Sequence, residues 1–213
     1  IREKVILPAS DIFLGKYVYR HLEFLNRSQW WSKEELVNFQ NQKLRELVHH
    51  VYYNVPFYNR IFNELGIKPF DIKTQADLTF LPILSKDMIK SAVKNGELRA
   101  ENIPPKELVY NSSSGSTGEP LQFYESRLSE SLKKASAIRG WYWMGYRLGD
   151  KFVKVSQIPR KGVLKKVQDS FARSLYLHIS QLNDQSFQMI LNAILGFKAK
   201  YLRIYPDPLG LLV

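Results

Sequence analysis

Between Tyr110 and Tyr124 the chain reads YNSSSGSTGEPLQFY, with four serines, one threonine and two glycines ahead of Pro120. Gly115 and Gly118 tolerate positive φ, which lets successive backbone N–H groups turn inward as an anion-binding nest. Ser113, Ser114, Ser116 and Thr117 add hydroxyl donors with little bulk. Such donors suit a triphosphate, whose charge is spread over several oxygens. Two other glycine-rich motifs are excluded by spacing. No Gly-Lys-Ser/Thr ending follows the glycines, so this is not a Walker A loop. The glycines do not bracket Ser116 as a nucleophile elbow requires, which disfavours a serine hydrolase. On residue types alone, a phosphate-binding loop and an ordinary Ser/Gly surface turn both stay open.

The elements around this segment are legible from periodicity. Ser32-Lys33-Glu34-Glu35 is a capping-box pattern, and the apolar residues Leu36, Val37, Phe39, Leu44, Leu47, Val48 and Val51 follow it. That helix stops before Pro56. A shorter helix is expected over Tyr58–Leu65, closing on Gly66. Two further starts lie at Thr74 and Ser85, with Pro82 between them. Residues 1–106 therefore read as a mainly helical lead-in. From 107 to 213 the pattern is α/β. Glu107–Asn111 and Leu121–Tyr124 read as strands flanking the Ser/Gly segment, Glu125–Met144 as a long helix and Lys151–Ser156 as a strand. Val163–Leu175 then reads as a basic amphipathic helix, Asp184–Phe197 as another helix and Lys200–Pro206 as a strand. Alternating strands and helices point to α/β layers. The apolar ending DPLGLLV predicts a chain cut inside a larger domain.

Composition narrows the function classes. With 213 residues, 45% hydrophobic and 24% charged, the chain fits one globular domain or one with a small appendage. It has no cysteine, which excludes disulfides, thiolate metal sites and a Cys nucleophile and fits a reducing compartment. The runs VILP and IFLG are too short for a signal core or a membrane span, so a cytoplasmic protein is expected. The formal charge of +11 is uneven: residues 1–109 hold 16 Lys+Arg against 13 Asp+Glu, and residues 110–213 hold 15 against 7. The basic half implies an anionic partner.

Other constellations carry weaker signals. His49 and His50 are adjacent on a helix and point apart, while His21 and His178 stand alone, so no metal site is expected. Trp141, Tyr142, Trp143 and Tyr146, with Phe123 and Tyr124, fit either an acyl or adenine pocket or, the better-supported reading, core. Trp30 and Trp31 precede a helix start and are expected to staple it. Arg160, Lys161, Lys165, Lys166 and Arg173 form the densest basic stretch. It lacks a nucleic-acid motif, and membrane attachment through its apolar side is an option rather than an expectation.

The segment SSSGSTGEP resembles the Ser/Thr-Ser-Gly-Ser/Thr-Thr-Gly-x-Pro phosphate loop of the adenylate-forming (AMP-forming acyl-ligase) superfamily. The chain as a whole is similar to the phenylacetate–CoA ligase-like branch, especially capsular polysaccharide biosynthesis proteins of the CapK type. The matching pieces come in the family's order: QNQKLRELVHHVYYNVPFYNRIF, DLTFLPILSKDMI, PLQFYESR, RGWYWMGYRLGDK and YLRIYPDPLGLL. The last departs from the family's Gly-Tyr-Pro-Ser at Ile204 and Asp207.

The resemblance implies part of the large N-terminal domain of an enzyme that activates a carboxylic acid as an acyl-adenylate. It further implies ATP and Mg²⁺ as cofactors, a thiol or amine acceptor (CoA, a carrier-protein thiol or a sugar amine), and a small carboxylic acid and nucleotide as partners, with no nucleic acid. Ser113, Ser114, Gly115, Ser116, Thr117 and Gly118 would grip the β- and γ-phosphates; no catalytic residue is assigned. An acidic metal site, a ribose-binding Asp and a mobile C-terminal domain would lie in a later half absent from this chain. The competing expectations are a non-catalytic fragment and a basic nucleic-acid or membrane-surface interaction domain.

Overall fold

The computed structural model describes residues 8, 11, 17–113, 120–156, 158–160, 162–179 and 183–204. They divide into two compact units, residues 10–137 and residues 138–213.

The Ser10–Ala137 unit is built on helices α1 (Val18–Ser28), α2 (Lys33–Asn54), α3 (Pro56–Glu64) and α4 (Lys86–Lys94). The capping box at α2 forms as the sequence requires. Ser32 Oγ accepts the Glu35 N–H at 3.1 Å, and Glu35 Oε2 accepts the Ser32 N–H at 2.7 Å. Val55 turns extended at φ −124° and ψ 105° because Pro56 follows it, and Pro56 then opens α3 at the position where a missing N–H costs nothing. The segment after Thr74 forms a 3₁₀ helix, Gln75–Phe80, rather than a full α-helix, since Pro82 leaves too little room for two α turns.

Val48, Phe62 and Ile72 form one buried cluster in this unit, and Val55, Phe57, Ile61 and Ala92 another. Phe62 is 1% exposed, a burial that stabilises by about 1.5–3 kcal/mol. Trp31 packs edge-on to Phe24 and Phe39 with centroids 5.6 and 5.4 Å away, so it does staple α2, whereas Trp30 is exposed. A hairpin of β1 (Leu108–Ser112) and β2 (Gln122–Ser126) follows. The chain then passes directly into α5 (Arg127–Trp143), with Ser126 Oγ accepting the Ser129 N–H at 3.1 Å.

The Ile138–Val213 unit holds the end of α5, then β3 (Phe152–Ser156), α6 (Val163–Ala172), β4 (Ser174–His178), α7 (Asp184–Phe197) and β5 (Tyr201–Arg203). The strands form a parallel sheet in the order β4-β3-β5. One face is apolar: Val153, Val155, Ile179 and Ile190 are buried together, with Leu175, Leu177, Phe187 and Ile194 packed around them. Asn183 Oδ1 accepts the Ser186 N–H at 2.8 Å and starts α7.

One sequence expectation is corrected here. The helix expected over Val163–Leu175 ends at Ala172, and Ser174–His178 is a strand. Arg173 adopts φ 52° and ψ 42°, a left-handed cap that turns the chain out of the helix.

Candidate functional site

The Ser/Gly segment is carried by the β1–β2 hairpin. These strands pair antiparallel in the register Leu108↔Ser126 through Ser112↔Gln122. The ladder continues one step past the strands. The Ser113 N–H donates to the Leu121 carbonyl at 2.9 Å, and Ser113 Oγ accepts the Leu121 N–H at 2.8 Å. Backbone and side chain of a single serine therefore clasp both ends of the segment. Because the Ser113 hydroxyl accepts in this clasp, its own proton remains free to be donated elsewhere. Of the expected phosphate-binding residues, Ser113 is the one placed; Ser114, Gly115, Ser116, Thr117 and Gly118 lie outside the described residues.

The hairpin is itself anchored. Tyr110 and Tyr124 pair across the strands with ring centroids 5.8 Å apart, and the Lys133 ammonium in α5 reaches both Glu125 carboxylate oxygens, at 2.5 and 2.7 Å. At the end remote from Ser113, an open cleft of about 470 Å³ is lined by Tyr17, Lys106, Glu107, Ser126, Arg127 and Leu128. Sequence reasoning did not single out that cleft, since its lining comes from three separated stretches.

The aromatic cluster resolves into two populations. Trp141 and Tyr146 are packed, with centroids 5.7 Å apart, and Tyr146 also meets Phe152 and Tyr201 at 5.9 and 5.3 Å. Trp143 is exposed, and so is Tyr124, which with Phe123 belongs to β2 in the other compact unit. Among the described residues no group of three or more His, Asp or Glu side chains could hold a metal ion. The His49 ring rests on Tyr53 at 4.6 Å. His21 is pushed below the usual histidine value, first by burial and then by Arg20, with Asp11 opposing. In the basic stretch Arg160 Nε binds Asp169 Oδ2 at 2.9 Å, and Lys165, Lys166 and Arg173 are exposed. Among the described residues no helix is long and apolar enough to cross a membrane.

Comparison with known proteins adds sequence and fold. The phenylacetate-coenzyme A ligase of Aromatoleum evansii is 37% identical over 97 residues, covering 42% of this chain and 20% of the ligase. That of Thermus thermophilus is 33% identical over 118 residues, covering 51% and 26%. This chain is similar to CoA ligases. The same fold appears in a 2-hydroxyisobutyryl-CoA ligase solved in an open conformation with 2-HIB-AMP and CoA. The TM-score is 0.60 at 18% identity, over 81% of this chain and 41% of that one. The matches span about a fifth to a quarter of the phenylacetate-CoA ligases' own length. No protein-family model matches the chain.

Proposed function

We propose that the chain is the amino-terminal portion of an AMP-forming ligase that activates a carboxylic acid with ATP. The observation that carries this reading is the clasp of Ser113 on Leu121. It ties together the ends of a nine-residue stretch, Ser113–Leu121, rich in hydroxyl and glycine residues, in a chain whose fold is like that of a CoA ligase.

In the first half-reaction a carboxylate oxygen attacks the α-phosphorus. An acyl–O–P bond forms, the bond to the bridging oxygen breaks, and pyrophosphate leaves with the electron pair. The hydroxyls of Ser113, Ser114, Ser116 and Thr117 and the backbone N–H groups at Gly115 and Gly118 hold the β- and γ-phosphates. They stabilise the charge that grows on the leaving group. In the second half-reaction the thiol of CoA attacks the acyl carbon, loses its proton and releases AMP. Mg²⁺ would enter with the nucleotide and neutralise phosphate charge, and no described residue is assigned to it. Residues 1–106 serve as the helical lead-in and 107–213 as the segment that carries the loop. Placement in the capsule-biosynthesis branch, and in the cytoplasm, rests on the order of the resembling motifs and on the absence of cysteine.

The test is ATP–pyrophosphate exchange with pooled carboxylic acids, run on the chain and on the longest reading frame containing it. Exchange is expected in the longer form. Thr117→Val should lower it by weakening ATP use, and Gly118→Val should lower it further because a β-branched residue disfavours positive φ. Exchange unaffected by both substitutions would remove the assignment of the loop.

A further inference from the structure

β3 is the central strand of its sheet, yet it carries a lysine in its middle. Val153 and Val155, on either side of it, are 0% and 4% exposed and packed with Ile190 of α7, which puts Lys154 on the opposite face. There it is in register with Tyr176 of β4 and Arg203 of β5, so three strands present a side-by-side row of tyrosine, lysine and arginine. Arg160, just beyond the end of β3, joins them. Its guanidinium carbon lies 5.6 Å from the Tyr176 ring centroid, and the Lys154 ammonium lies 5.3 Å from the same ring. The Tyr176 hydroxyl donates to the Ile158 carbonyl, which fixes the ring. The Arg203 guanidinium is seated 4.9 Å from the Trp141 ring.

Asp169 is the carboxylate that acts on this group, and it is already engaged, accepting from Arg160 Nε at 2.9 Å and Ser174 Oγ at 3.1 Å. Among the described residues no carboxylate makes an ion pair with Lys154 or Arg203. Burial, then Arg203 and then Arg160 push the Lys154 ammonium below the usual lysine value, with Asp169 opposing. Aromatic rings locate these cations without cancelling their charge. Like charges gathered on a half-buried sheet face destabilise the fold unless an anion offsets them. Arg203 ends β5 and Arg160 follows β3, while Lys154 and Tyr176 sit mid-strand, so the group runs from the middle of the sheet face to the strands' carboxyl ends, where open α/β sheets bind ligands.

We propose that Lys154, Arg160 and Arg203 bind a compact multivalent oxyanion. This site shares no residue with the Ser/Gly segment and does not depend on the ligase reading. Phosphoryl and polycarboxylate ligands share the required chemistry, and the two probes below separate them.

The test is calorimetric titration of the 213-residue chain with inorganic pyrophosphate and, separately, with citrate, alongside melting curves. Wild type should bind one of the two. Lys154→Met and Arg203→Gln should each weaken that binding about tenfold or more, the scale of losing a hydrogen bond to a charged group. Lys43→Gln, an exposed charge change in the other unit, should leave it unchanged. Without anion, Lys154→Met should melt no lower than wild type, and it should lose the rise that the anion gives wild type. Tighter pyrophosphate assigns a phosphoryl ligand; tighter citrate assigns a polycarboxylate.

The proposal is overturned by absent binding in wild type, by unchanged affinity in both variants, or by an equal loss in Lys43→Gln. It is equally overturned if Lys154→Met melts lower while the anion-induced rise persists, which would make the lysine a packing residue. Arg203→Gln, at an exposed position, decides the matter should Lys154→Met not fold.

Discussion

The two compact units handle positive charge with a different balance of partners. In Ser10–Ala137, Lys and Arg number 17 against 15 Asp and Glu; in residues 138–213 they number 12 against 4. Where acids are plentiful, carboxylates answer the cations: Lys43–Glu46, Arg60–Glu64, Arg60–Glu97, Lys133–Glu125 and Lys134–Glu130 all lie in the first unit. Rings also lie near cations there, at Lys43–Phe39, Arg60–Phe57 and Lys68–Tyr52, but in the second unit Arg160–Asp169 is the corresponding ion pair among the described residues and ring contacts predominate. Arg139 sits over Trp143, Arg147 over Tyr142, Lys151 over Phe197, Lys154 and Arg160 over Tyr176, and Arg203 over Trp141. A carboxylate partner removes a cation's field, whereas a ring fixes its place and leaves the field standing. The first arrangement suits a scaffold, and the second suits a surface that attracts anions.

The largest expected effect probes what the contrast rests on, the apolar face beneath the cationic one. Ile190→Ala should cost about 2–5 kcal/mol by urea denaturation, because the residue is fully buried against Val153 and Val155. A loss near zero would mean that α7 does not hold the sheet.

A smaller effect sharpens the charge contrast directly. Raising salt from 0.01 M to 1 M shortens the screening length from about 30 Å to about 3 Å. Amide exchange should then slow in residues 138–213, where repulsion is relieved, and should not slow in 10–137, where ion pairs are weakened. An equal response in both units would break the comparison.

The smallest effect tests a carboxylate that works within the balanced unit. Asp77 accepts the N–H groups of Thr74 and Lys73 at 2.8 and 3.0 Å, and these bonds, Thr74's first, hold its carboxyl below the usual 3.8. A depressed folded-state value stabilises above 3.8 and is lost as pH falls through the folded value. Asp77→Asn should therefore speed exchange at the Thr74 and Lys73 amides at neutral pH. The difference from wild type should close in acid; a difference that persists there would trace to shape rather than charge.

What could be read in the sequence follows from how local each signal is. The Ser32–Glu35 box and the span of α7 needed only neighbours a few residues apart, and both formed as expected. The hairpin strands were legible too, within one or two residues. β4 was not. Val163, Val167, Phe171 and Leu175 continue a four-residue apolar rhythm, which hid the two-residue alternation of Leu175 and Leu177 around Tyr176. The juxtaposition of Lys154, Tyr176 and Arg203 is set by pairing between distant strands, so no window along the chain contains it. In the Ser/Gly segment the hydroxyl-rich composition was visible, whereas the structural use of Ser113 was not, because it depends on Leu121 across the hairpin.

That clasp bears on how the segment can change over evolutionary time. With both ends tied by the hairpin, the entropy of closing the intervening chain grows only with the logarithm of its length. Doubling it adds about 0.6 kcal/mol. The scaffold thus tolerates insertions between Ser113 and Leu121 at little cost, and a strict limit on the segment's length would have to come from a bound ligand.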